Sequence, residues 1–93
     1  MQIRFKTFGS IRRLIGSREM TLDVPSNSTI SDVIDTIVQK WGPQAKELLM
    51  DRGQFSGNLI VMLNMRDIST LDGLDTPVNP NDEVIILPHV QGG

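Results

Sequence analysis

The stretch Asn81-Asp82-Glu83-Val84-Ile85-Ile86-Leu87-Pro88-His89-Val90-Gln91-Gly92-Gly93 decides the architecture. Ahead of it, Asn79-Pro80-Asn81-Asp82 is a turn signal, with proline preset for the second position of a β-turn. Val84 to Leu87 are apolar on both faces of an extended chain. Such a strand belongs inside a sheet and not at its edge. Pro88 lacks a backbone donor and ends it. Two glycines then close the sequence. Glycine loses more backbone entropy on ordering than any other residue, so Gly92-Gly93 is a poor end for a strand. It is a good end for a slender probe, because a backbone without Cβ atoms enters a narrow tunnel and presents a bare α-carboxylate. At ordinary glycine usage two terminal glycines arise by chance in roughly 0.5% of chains, so the pair takes its meaning from the strand that carries it.

An interior last strand needs neighbours, and the opening residues supply one. Ile3, Phe5 and Thr7 alternate with Gln2, Arg4, Lys6 and Phe8, which reads as a half-buried strand. Gly9-Ser10 ends it, and Ile11 to Ile15 form a short helical turn. Met20, Leu22 and Val24 alternate with Glu19, Thr21 and Asp23, giving a second strand that pairs antiparallel with the first and stops at Pro25. Thr29 is an N-cap with Asp32 completing a variant capping box. Ile30, Val33, Ile34, Ile37, Val38 and Trp41 then form one apolar stripe at the helical period, with Trp41 as a lid on the core. Pro43 starts a second helix that turns Ala45, Leu48 and Leu49 inward and stops at Gly53. Residues 52–57 read as a loop, with Phe55 either tucked down or a surface contact. Leu59 to Leu63 is a buried strand, Asn64-Met65 a turn, Arg66 to Ile68 a short strand, and Ser69 to Val78 irregular.

The order is β-β-α-(α)-β-β-β. The amphipathic helix needs a sheet face for its stripe, and the last strand needs an interior place. Both are satisfied when the last strand lies beside the first in parallel and the helix crosses one face. The expected fold is therefore α+β, a β-grasp: a mixed sheet of four to five strands with one main helix across it. Residues 1–93 form a single domain in this reading, with 88–93 as a free functional tail.

Length and composition narrow the chemistry. A chain of 93 residues implies one domain that buries roughly 60–65% of its unfolded surface. The longest apolar run, Leu59 to Leu63, is too short to span a bilayer. Arg4 and Lys6 interrupt any signal peptide, so no membrane association and a cytoplasmic location are expected. There are no cysteines and one histidine, which argues against disulfides, thiol chemistry and zinc. Neither a bound cofactor nor a metal is expected. The net charge of −2 gives no basic excess for nucleic acid. Charge is uneven, however. Residues 1–18 carry five bases and no acid (Arg4, Lys6, Arg12, Arg13, Arg18). Residues 67–93 carry five acids and no lysine or arginine (Asp67, Asp72, Asp75, Asp82, Glu83). Either the two ends lie side by side in the fold, or the acidic end steers the tail onto a basic partner.

The whole chain resembles the ubiquitin-like sulfur carriers: the small subunit of molybdopterin synthase, its thiamine-pathway relative and the archaeal small modifier proteins. The resemblance rests on Phe8-Gly9-Ser10-Ile11-Arg12-Arg13-Leu14-Ile15-Gly16, on Asp72-Gly73-Leu74-Asp75-Thr76-Pro77-Val78, and on the ending quoted above. In the family that ending reads Gly-Asp-Glu-Val, an apolar stretch, Pro-Pro-Val, a small residue and Gly-Gly. Three positions depart from it. Met65 stands where Asn-Gly is common, in a turn whose positive φ a methionine resists. His89 replaces the second proline. Gln91 replaces the small residue, so a partner channel must admit a longer side chain.

What the resemblance implies is a co-substrate and not an enzyme. An E1-like adenylating enzyme would use ATP to form an acyl-adenylate at Gly93, with Gly92 giving the slim approach. A sulfur nucleophile would then leave a thiocarboxylate for molybdopterin biosynthesis, with the synthase large subunit as partner, or for tRNA thiolation. Alternatively a lysine of a target protein would attack and form an isopeptide bond. The same activation precedes both. Val90, Gln91 and Leu87 would seat the tail against the partner. An apolar patch on the open sheet face, including Lys6 and Phe8, would dock it. The free protein is expected to be a monomer. A third reading is a β-grasp binding module whose tail is inert.

Overall fold

The computed structural model describes residues 1–88. In chain order the elements are β1 (Gln2–Thr7), α1 (Gly9–Ile15), β2 (Glu19–Asp23), α2 (Ile30–Trp41), α3 (Pro43–Leu49), β3 (Met50–Asp51), β4 (Gln54–Phe55), β5 (Leu59–Leu63), β6 (Arg66–Asp67) and β7 (Glu83–Pro88). Two 3-10 turns lie at Ile68–Thr70 and Gly73–Asp75. The main sheet runs β2-β1-β7-β5-β6. β1 and β7 are parallel, Phe5 opposite Val84, and the other pairs are antiparallel. This is the expected β-grasp.

The central place of β7 follows from its two apolar faces. Val84 and Ile86 join Ile3, Phe5 and Leu22 in the core. Ile85 points to the opposite face and is still buried. Ile30, Val33, Ile34 and Ile37 bring the stripe of α2 into the same core, and Trp41 packs partly buried against it. The start of α2 is fixed as expected. The Thr29 hydroxyl accepts from Asp32 N–H, and the Asp32 carboxylate accepts from Thr29 N–H at 2.9 Å. Thr29→Ala is expected to destabilise the protein by about 1 kcal/mol, read as a lower urea midpoint with an unchanged slope. An unchanged midpoint would remove the cap from this account.

The parallel pairing brings part of the two charged ends side by side. Arg4 and Lys6 lie 3.5 and 3.7 Å from the Glu83 carboxylate. Both cations are substantially exposed while Glu83 is buried, so these pairs set register more than they add stability. The turn before β7 is held in the same way. Asn81 N–H donates to the Gln2 carbonyl at 2.8 Å, and Arg4 N–H to the Asp82 carbonyl at 2.8 Å.

Four local features differ from the sequence expectations. First, α1 is a seven-residue helix starting at Gly9, longer than one turn. Second, α3 stops at Leu49 and not at Gly53. Third, the chain then forms a hairpin, Met50 opposite Phe55, in place of the expected loop. Its turn residues Arg52 and Gly53 both have positive φ, 54° and 80°, the primed-turn geometry that matches strand twist. Fourth, β6 ends at Asp67, one residue early. The Asp67 carboxylate accepts from Ser69 N–H at 2.9 Å, and its carbonyl from the Thr70 hydroxyl at 2.7 Å. These bonds pull Ile68 out of the strand and into a 3-10 turn.

The Asn64-Met65 turn takes the positive φ that methionine resists, 50° and 69°. Met65 is 66% exposed, so packing returns little for the strain. Left-handed backbone costs an L-residue about 1–2 kcal/mol, partly offset by glycine's greater freedom when unfolded. Met65→Gly is expected to stabilise the protein by about 1 kcal/mol. Equilibrium denaturation checks this, and a lower midpoint would refute it.

Candidate functional site

The candidate site is the C-terminal end of β7 and the sheet surface around it. β7 is paired on both sides over most of its length. Glu83 to Ile86 align with Arg4 to Thr7, and Val84 to Pro88 with Leu63 to Leu59. A strand held on both edges is a rigid mount for whatever follows Pro88. Its other end is clamped by Asn64. The Asn64 side chain accepts from Glu83 N–H at 2.9 Å and donates to the Asp82 carboxylate at 3.0 Å, and its N–H donates to the Glu83 carbonyl at 2.9 Å.

At the exit, Pro88 lies opposite Leu59. Gly9 has φ 56°, and a Cβ built on it would sit 3.7 Å from Pro88 Cγ. The tight passage from β1 into α1 uses this glycine's left-handed backbone, which brings α1 close under the last residue of β7. A cavity of about 130 Å³ opens here, lined by Phe8, Ser10, Ile11, Leu48, Leu59 and Pro88.

Register distributes the expected partner residues over two places. Lys6, Ile85 and Met62 lie side by side on the sheet face opposite the core, and Leu87 lies there opposite Ile60. Leu87 is half-buried and Lys6 is partly exposed. Phe8 does not continue this face: it caps α1, with the Arg12 guanidinium 5.2 Å from its ring centroid, and lines the exit cavity. It is 39% exposed. Sequence reasoning missed Ile60, Met62 and Ile85. Their signal is the period-2 alternation within two runs that read as uniformly apolar. His89, Val90, Gln91, Gly92 and Gly93 lie outside the described residues, so the calls on the tail are not judged by this geometry. Among the described residues no group of three or more His, Cys, Asp or Glu side chains is placed to hold a metal ion, and no helix is long and apolar enough to cross a membrane.

Comparison with known proteins agrees with this architecture. The profile of the ThiS family matches residues 5–93. The chain is 27% identical over 93 residues to small archaeal modifier protein 3 of Haloferax volcanii, covering 100% of both. It is 32% identical over 65 residues, 70% of this chain and 74% of the other, to a protein of Archaeoglobus fulgidus provisionally described as a sulfur carrier. Among solved structures, that of the small archaeal modifier protein 1 of Methanosarcina acetivorans superposes with a TM-score of 0.84. That pair is 28% identical, with 99% of this chain and 96% of the other covered.

Proposed function

The chain belongs to the ThiS family, and from that premise we propose that it is a sulfur carrier whose Gly93 carboxylate is adenylated by an E1-like enzyme and converted to a thiocarboxylate. A carboxylate is a poor acyl donor, because resonance protects it and oxide is a bad leaving group. One carboxylate oxygen attacks the α-phosphorus of ATP and pyrophosphate leaves. A sulfur nucleophile then attacks the acyl carbon and AMP leaves, so the C-terminus gains sulfur in place of one oxygen. The protein is the co-substrate of this reaction, and ATP is bound by the partner. The sulfur is destined for molybdopterin biosynthesis, with the large subunit of a molybdopterin synthase as partner, or for tRNA thiolation.

The observation that carries this proposal is the mounting of β7. A central strand, fixed on both edges to Ile86 and on the β5 edge to Pro88, precedes a five-residue segment ending in Gly92-Gly93. Gly92 and Gly93 enter the partner's active site, and Val90, Gln91 and Leu87 line the approach. The open face around Lys6, together with Phe8 at the exit cavity, meets the partner's body. The full chain with ATP, its cognate activating enzyme and a sulfur source, followed by intact-mass spectrometry, tests the proposal. Replacement of one oxygen by sulfur at the C-terminus supports it; a chain that is adenylated and never thiolated refutes it.

A second use of the same activated end is conjugation to lysines of target proteins, favoured by the whole-length match to an archaeal modifier. Branched peptides joining Gly93 to a lysine in digests of cell extracts would support this use.

A further inference from the structure

Two further cavities are lined by none of Lys6, Met62 and Ile85, and the larger shares Leu59 with the exit of β7 and Ile60 with the open sheet face. One, of about 430 Å³, runs along the start of β5 and is bounded by Phe55, Leu59, Ile60, Ile68 and Leu74. The other, of about 380 Å³, lies between α2 and the β3–β4 hairpin and includes Ile34 and Met50. Both are lined by Phe55 and Leu74, so together they form one trough with these two side chains at its middle. Leu74 is 37% exposed on a 3-10 turn between the exposed carboxylates Asp72 and Asp75. Asp35 lines one cavity and Asp67 the other, and no lysine or arginine lines either. The cations adjacent in sequence, Arg52 and Arg66, are not among the lining residues. One arm is floored by Phe55, Leu59, Ile68 and Leu74, and the other is walled in part by Ser31, Asp35 and Gln54. Asp72 and Asp75 flank Leu74 in sequence without lining either. This pattern selects side chains that are apolar at the tip or cationic. It also disfavours a second copy of this chain, which would set Asp72 and Asp75 against like charges.

We propose that this trough docks a segment of a partner protein that combines apolar side chains with lysine or arginine. The apolar side chains seat against Phe55 and Leu74, and the cations meet Asp35, Asp72 and Asp75. The trough shares Leu59 and Ile60 with the strand that holds β7, so a segment docked here lies beside the exit of β7.

The probe is the peptide acetyl-Leu-Lys-Leu-Arg-Leu-Lys-amide, titrated into the isotope-labelled full chain and followed by amide chemical shifts. Shifts centred on Phe55, Leu74 and Asp35 are expected. The sign-reversed peptide acetyl-Leu-Glu-Leu-Asp-Leu-Glu-amide should bind about tenfold weaker, and affinity for the basic peptide should fall as salt rises. Leu74→Lys should weaken binding about tenfold. Thr21→Lys, the same charge change on exposed β2, should leave it unaltered. Shifts centred on Lys6, Met62 and Leu87, equal binding of the acidic peptide, equal weakening by both lysine variants, or no shifts at all would each overturn the proposal. So would concentration-dependent self-association that broadens Phe55 and Leu74 without peptide.

Discussion

Removing Gly92 and Gly93 is expected to abolish thiocarboxylate formation and any conjugation while leaving the body folded. The shortened chain would end at Gln91, whose carboxylate sits two residues too close to the sheet and carries a side chain at the reacting position. Misplacement of a reacting group by even an ångström lowers rate by about a hundredfold, ~3 kcal/mol of barrier. A two-residue shortfall is several times that distance. Every buried apolar side chain among the described residues lies at or before Ile86, and glycine has no side chain to bury. The thermal midpoint should therefore be retained. Intact-mass spectrometry after incubation with the activating enzyme, beside a thermal melt, checks both halves. Thiolation of the shortened chain would sink the functional proposal. Loss of fold would show that the tail supports the body.

Phe5→Ala carries the largest expected effect on stability, about 3–5 kcal/mol. Phe5 is fully buried and sits between Met20 of β2 and Val84 of β7, beneath the stripe of α2. Truncation there removes contacts to three elements at once, and a central strand paired on both edges cannot shift to close the gap. Against a total of roughly 5–15 kcal/mol for a small domain, the variant should be near the edge of unfolding at room temperature. Urea titration followed by circular dichroism measures the loss. A loss below about 1 kcal/mol would mean that the core repacks around the cavity.

Much of this arrangement was legible in the residues. The two-sided apolar run from Val84 to Leu87 demanded an interior place, and the alternation of Ile3, Phe5 and Thr7 supplied the neighbour. The Thr29-Asp32 box marked the start of α2 to the residue, because a cap is local chemistry that tertiary contacts do not override. What escaped was geometry that depends on uncommon backbone. Arg52 sits at φ 54°, and an arginine does not announce a primed turn, so the β3–β4 hairpin read as a loop and Gly53 as a helix stop. β6 was overextended because the Asp67 side chain ends it by bonding Ser69, and aspartate has several other uses. The open sheet face was legible in half. Lys6 was placed on the open face by alternation, whereas Phe8 leaves the strand just where period-2 counting ceases to apply. The role proposed for the tail rests on Gly92-Gly93 and family likeness, and the thiolation assay tests it.

The place of β7 between β1 and β5 also has a consequence for how the molecule comes into being. The sheet's middle position is filled by β7, while one of its partners, β1, lies far upstream of it in the chain. Until β7 arrives, β1 and β5 have no common neighbour, and Ile3, Phe5, Val61 and the stripe of α2 have no complete core to enter. Pairings this distant along the chain slow folding. They also tie completion of the body to emergence of β7. A product interrupted before Glu83 would lack the central strand and the sheet it completes, whereas one interrupted after Pro88 would keep the sheet and lack only the tail.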